Sequence, residues 1–132
     1  MSEGISVSII FHITRCEQWE KAKPEGVYLG DTLDSEGFIH CSTSKQIVKV
    51  ANTLFRFQEG LVLLCIETGR IQSEIRYEGA EGSELYPHIY GPLNINAVVK
   101  VIDFEPAKNG MFVPPKGIRQ SKRKHPCSEH GH

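Results

Sequence analysis

Glu36-Gly37-Phe38-Ile39-His40-Cys41-Ser42-Thr43 is the stretch on which the fold turns. Alternation puts Phe38, His40 and Ser42 on one face of a short strand and Gly37, Ile39 and Cys41 on the other. Ser42, Thr43 and Ser44 then offer three hydroxyls where a helix opens, and Thr43 with Gln46 reads as a capping box. The helix is predicted to run to about Phe57, with Ile47, Ala51, Leu54 and Phe55 toward the core and Lys45, Lys49, Asn52 and Arg56 opposite. A histidine, a hydroxyl cluster and a helix N-terminus thus fall within about two turns of one another. That combination suits an anion or a nucleotide.

Upstream, Val7 to Thr14 alternates as a strand. Ile9, Phe11 and Ile13 form its core face, while Ile10, His12 and Thr14 border a cleft. Thr14 and Glu17 read as another capping box, opening a helix from Arg15 to about Lys23 that turns Cys16, Trp19 and Ala22 inward. Val27 to Leu29 reads as a short strand and Gly30 to Glu36 as a loop.

Downstream, Glu59-Gly60 closes the long helix, and the apolar run Leu61 to Ile66 has the pattern of a central strand buried on both faces. Thr68-Gly69 turns the chain. Ser73 to Glu78 alternates, with Arg76 and Glu78 sharing a face, and Gly79 to Ser83 is a polar loop. Tyr86 to Asn94, rich in aromatics and prolines, is expected to be irregular. Ala97 to Phe104 is the last clear strand, Asn109-Gly110 a turn, and Met111 to Val113 a short final pairing. Few helices and short connections favour α+β with antiparallel or mixed sheets over a doubly wound parallel sheet.

The 132 residues suffice for one domain, placed at 1–113, with a disordered basic tail at 114–132. Residues 116–132 hold five basic side chains and one acid; with a whole-chain charge of −1, the rest carries −5. Such a tail is a candidate RNA contact, weighed against a merely solvated one. The four cysteines form no Cys-x-x-Cys pair, so reduced thiols and a cytoplasmic location are expected. There is no signal-peptide pattern and no apolar run of membrane-spanning length, so no membrane partner is expected.

His12, His40 and His88 are the histidines of the ordered segments. His12/Thr14 and His40/Ser42 each place a hydroxyl two residues after an imidazole on one face, a pattern weighed against plain structural hydrogen bonding. A three-imidazole zinc site is the rival, but the spacing is not diagnostic and no metal is expected. Cys41 beside His40 does not form a nucleophilic dyad, because adjacent strand residues face opposite ways. Arg76 and Glu78 read either as a surface ion pair or as cleft groups, Arg76 for an anion and Glu78 for a sugar hydroxyl.

Glu36 to Thr43, Tyr77-Glu78 and Pro87-His88-Ile89-Tyr90-Gly91-Pro92-Leu93 resemble the signatures of the domain of unknown function nine-five-two family, over about residues 9 to 113. The resemblance implies an ADP-ribosyltransferase-like fold: two small split antiparallel sheets around an NAD cleft, with two or three short helices. It implies that Phe11-His12-Ile13-Thr14 holds the nicotinamide ribose and amide. Phe38-Ile39-His40-Cys41-Ser42 is similar to the histidine variant of the second motif, seen in RNA 2′-phosphotransferases. The third-motif acid has no clear match, and Glu78 is the candidate.

The expectation is therefore a protein binding NAD or a related nucleotide, with NAD as substrate rather than resident cofactor, and an ADP-ribosyl or RNA 2′-phosphate transferase as its enzymatic form. His12, His40 and Glu78 are the catalytic candidates; Thr14, Ser42, Thr43, Arg76, His88 and Tyr90 are the ligand-binding ones. The alternative is a non-catalytic module that binds a nucleotide or small ligand in the same cleft.

Overall fold

A computed structural model describes residues 8–115 of the chain. They form a mixed α+β arrangement of three antiparallel sheets with short helices. The elements in order are β1 (Ile9–Arg15), α1 (Cys16–Ala22), β2 (Val27–Tyr28), α2 (Leu33–Glu36), β3 (Ile39–His40), α3 (Ile47–Leu54), β4 (Leu61–Glu67), β5 (Glu74–Glu78), β6 (Tyr86–Tyr90), β7 (Leu93–Asn94) and β8 (Val98–Phe104).

The main sheet has the order β1-β4-β8, and β4 is its centre. Every residue from Leu61 to Ile66 is buried. Because β4 side chains alternate, they feed two cores. Val62, Leu64 and Ile66 join Ile10, Trp19, Tyr28, Ile39 and Ile89 on one side. Leu61, Leu63 and Cys65 join Phe11, Ile13, Ile47, Ala51, Phe104 and Phe112 on the other. The sheet is thus covered on one face by α1 and the small sheets and on the other by α3.

The order β3-β6-β5 makes a second three-stranded sheet, and β2 pairs with β7. In the former, His40, His88 and Arg76 are cross-strand neighbours, as are Ile39, Ile89 and Ile75. Ile39 and Ile89 are fully buried, so the His40–His88–Arg76 face is the one turned from that core. One bridge ties this unit to the main sheet: Phe11 and Ser42 exchange both backbone hydrogen bonds at 2.8 Å.

Several expectations need correction. Tyr86 to Tyr90 is a regular strand, and a central one. Within Gly30 to Glu36, the segment Leu33–Glu36 is helical, closed by Gly37 at φ 89°. The helix expected to reach Phe57 stops at Leu54, and Leu54 is 69% exposed instead of core. The chain turns away there: Phe57 takes a left-handed φ of 66° and its N–H donates to the Gly110 carbonyl. Met111 to Val113 makes no strand; Phe112 is buried, and the Asn52 side-chain amide donates to its carbonyl and accepts from its N–H. The Thr14–Glu17 capping box is absent, because Thr14 donates to Gln18. In the other box, the Gln46 carboxamide does accept from the Thr43 N–H at 3.0 Å. Cys41 and Cys65 are free and buried. The expected tail beyond residue 115 lies outside the described residues. Among the described residues, no helix is long and apolar enough to cross a membrane.

Candidate functional site

The Phe11–Ser42 bridge brings the edge of β1 against the end of β3, and a groove of about 780 Å³ opens beside the junction. That volume lies in the range of small-molecule sites. Phe11 spends both its backbone groups on Ser42, so strand alternation turns the Ile13 N–H and C=O toward the same free edge, one residue pair further along. Among the described residues no backbone partner closes the edge at Ile13, and Ile13 lines the groove.

Of the residues expected at the site, His12, Thr14, His40, Ser42, Glu78 and His88 line this groove. Thr43, Arg76 and Tyr90 do not. Thr43 serves the start of α3. Arg76 donates two hydrogen bonds to Glu74, at 3.0 and 3.1 Å, and its guanidinium sits 4.2 Å over the Tyr90 ring. It is engaged on the sheet surface rather than aimed at a ligand.

His12 lies in the groove wall with both ring nitrogens committed. Nδ1 meets the His40 carbonyl at 2.5 Å and Nε2 meets the Tyr28 hydroxyl at 2.8 Å. Burial pushes its imidazole down to about 4, against the upward pull of the His40 carbonyl. His40 is different: its ring is half exposed, and among the described residues its one side-chain hydrogen bond joins Nε2 to Glu36 Oε1 at 2.9 Å. A carboxylate accepts, so Nε2 carries the proton and the lone pair is left at Nδ1.

Glu78 anchors the other wall. Its Oε1 accepts from the Tyr90 hydroxyl at 2.6 Å and from His88 Nδ1 at 2.8 Å. The Tyr90 and His88 hydrogen bonds hold its carboxyl below the usual carboxylate range, so it stays ionised at neutral pH. His88, with its proton on Nδ1, presents a basic Nε2. Its ring stacks on Phe38 at 4.1 Å and meets His40 edge-on at 5.2 Å. Two imidazoles, each oriented by its own carboxylate, therefore stand side by side at the groove.

The three imidazoles do not make the zinc site considered from sequence. Both His12 nitrogens are spent, and among the described residues no group of three or more His, Cys, Asp or Glu side chains is placed to hold a metal ion. Sequence reasoning missed Tyr28, Gln18 and Asp31, which join His12 and Thr14 in one hydrogen-bonded chain. Tyr28 carried a signal, being the polar-tipped aromatic of a predicted strand; Asp31, in a loop, carried none.

A family model described as protein of unknown function (DUF952) matches residues 13–101. No curated protein matches. Among solved structures, the crystal structure of protein CC0527 from Caulobacter crescentus is 31% identical, with a TM-score of 0.73 over 80% of this chain and 94% of that one. Its solution NMR structure is 32% identical, with a TM-score of 0.69 over 83% and 93%.

Proposed function

Since the chain belongs to the DUF952 family of proteins of unknown function, its chemistry must be read from the groove, and we propose that the groove binds NAD or a related nucleotide in the manner of an ADP-ribosyltransferase. The observation that carries this reading is the meeting, in one groove, of a free strand edge at Ile13 with the ionised Glu78. A primary carboxamide has one donor face and one acceptor face, which complement the N–H and C=O of a strand edge. A fixed carboxylate across the groove favours the cationic ribose centre that develops when the nicotinamide bond breaks. The split of the sheets around the groove fits the fold implied by the sequence resemblance. RNA 2′-phosphate transfer is the second reaction consistent with the same groups.

In this reading Glu78 is the electrostatic partner of the reacting centre, with Tyr90 and His88 holding its orientation. His40 and His88 contact the sugar through their open nitrogens. His12 supports the wall rather than reaching the ligand, since both its nitrogens are occupied. Thermal-shift and calorimetric titration with NAD, ADP-ribose and nicotinamide test it. A ligand at 100 times its dissociation constant stabilises the fold by about 2.7 kcal/mol. Failure of all three to bind refutes the proposal. Binding with no release of nicotinamide from NAD favours a non-catalytic module, the reading that asks least of Glu78.

A further inference from the structure

Gln46, at the N-cap of α3, is 7% exposed, and its carboxamide has a fixed direction. Oε1 accepts from the Thr43 N–H at 3.0 Å, so the Nε2 end, which carries the protons, is turned to the β5–β6 connection. There Nε2 donates to the Leu85 carbonyl at 2.8 Å and to Glu84 Oε1 at 3.1 Å. Lys49, nearly one turn further along α3, donates to the second oxygen of the same carboxylate, Oε2, at 2.8 Å. A fixed amide donor and an ammonium therefore converge on one anion. Lys49 and Glu84 both line the groove, from α3 and from the β5–β6 connection.

The anion is carried by a segment with no buried anchor of its own. Residues 79–85 are all exposed, and Ser83 bonds back to Ala80 within the connection. The Glu84 side chain is half exposed, so rotation alone takes its carboxylate into solvent. Leaving costs the two donors more than it costs Glu84. A buried Gln46 N–H loses its acceptor and Lys49 loses its counter-charge, unless another anion takes the place. The same two donors, Lys49 first and Gln46 second, hold the Glu84 carboxyl below the usual carboxylate range, so the present occupant is charged at neutral pH.

We propose that Gln46 and Lys49 form a phosphate-binding seat at the groove and that Glu84 is its built-in occupant, a carboxylate that the phosphate group of a ligand displaces. The seat presents donors and one positive charge, and a lysine serves phosphate as a point charge. A surface ion pair would need Lys49 and Glu84 alone; the buried amide turned onto the same carboxylate is what makes the pair a seat. The inference stands on these contacts and rests on no particular carrier of the phosphate, NAD included, so the probe is inorganic pyrophosphate.

The full chain and three variants are titrated with pyrophosphate by calorimetry at constant ionic strength, with the Gln46 side-chain amide followed by NMR. Glu84→Ala empties the seat and is expected to bind about tenfold more tightly than the unaltered chain, since a charge-assisted hydrogen bond no longer has to be given up. The Gln46 amide resonances should move as the probe enters. Adding Lys49→Met to Glu84→Ala should remove the gain. Glu81→Ala takes away a carboxylate of the same connection that has no part in the seat, and should bind as the unaltered chain does. If Glu84→Ala binds no more tightly than the unaltered chain, Glu84 does not occupy a phosphate seat. If Glu81→Ala gains as much as Glu84→Ala, only the general charge of the connection is felt and the seat is wrong. If the Gln46 amide stays in place while pyrophosphate binds, or the gain survives Lys49→Met, the anion sits elsewhere and the proposal fails.

Discussion

His12 and His40 lie next to one another, yet only the removal of His12 should leave a polar group of the fold unpaired. His12→Ala takes the donor from the His40 carbonyl, and a polar group left unpaired costs about 1–3 kcal/mol. It also removes an edge-on ring contact with Tyr28, with centroids 5.2 Å apart, worth about 0.5–1.5 kcal/mol. Tyr28 keeps Thr14 as a partner, so nothing is added on that side. The sum is about 1.5–4.5 kcal/mol, on the scale of one unpaired polar group and one ring pair. His40→Ala removes the hydrogen bond to Glu36, whose partners are 50% and 48% exposed, worth about 0.2–1 kcal/mol, and the ring contacts with Phe38 at 4.7 Å and His88 at 5.2 Å, but it leaves no buried polar group unpaired. Urea unfolding followed by the fluorescence of Trp19, the one tryptophan, measures both. A His12→Ala loss below about 1 kcal/mol, the ordinary scale of a point change, would refute the structural role given to His12.

Trp19, on α1, is 4% exposed and packs against Tyr28, so Trp19→Ala should cost about 3–5 kcal/mol in urea unfolding followed by far-ultraviolet circular dichroism; a loss of surface size would put the ring outside the core. Gly79→Ala should lower the melting temperature, because the new Cβ would stand 2.2 Å from the Glu84 carbonyl oxygen in the β5–β6 connection; an unchanged midpoint would mean that this connection yields freely. Glu78 titrates lower in the fold than in the unfolded chain, so its ionised form contributes stability above the ordinary carboxylate range, lost as pH falls through the lowered value. Glu78→Gln should flatten that acid limb of stability against pH, and an identical limb in the variant would show that Glu78 is not bonded as described.

The central strand was legible because Leu61 to Ile66 is apolar without interruption, which leaves little but burial on both faces. Tyr86 to Tyr90 was not, because Pro87 cannot donate within a ladder and so argues against a central strand. The fold avoids that conflict through the shortness of β3. Its pairing with β6 covers only Ile39–Ile89 and His40–His88, and Pro87 needs only to accept, from the Cys41 N–H at 3.0 Å. Leu54 was misplaced for a related reason: its spacing fits the apolar stripe of α3, but the stripe outlasts the helix. No local pattern says where packing stops.

The candidate site divides along the same line. His12 with Thr14, and His40 with Ser42, were visible as pairs because strand alternation is a local rule. What Glu78 does was invisible, because its two partners lie 10 and 12 residues away across a loop and reach it only through the β5–β6 register. That register sets Arg76 opposite His88 and so leaves Glu78 one step diagonal to the histidine, within reach of the Nδ1 proton. A shift of one residue would turn Glu78 to the Ile89 side, toward the buried core. The acid on which the proposed transferase reading rests is thus placed by pairing between strands and not by any motif. It follows that a variant of the β5–β6 connection should displace Glu78 from His88 and Tyr90 while leaving every residue of the sequence motifs intact.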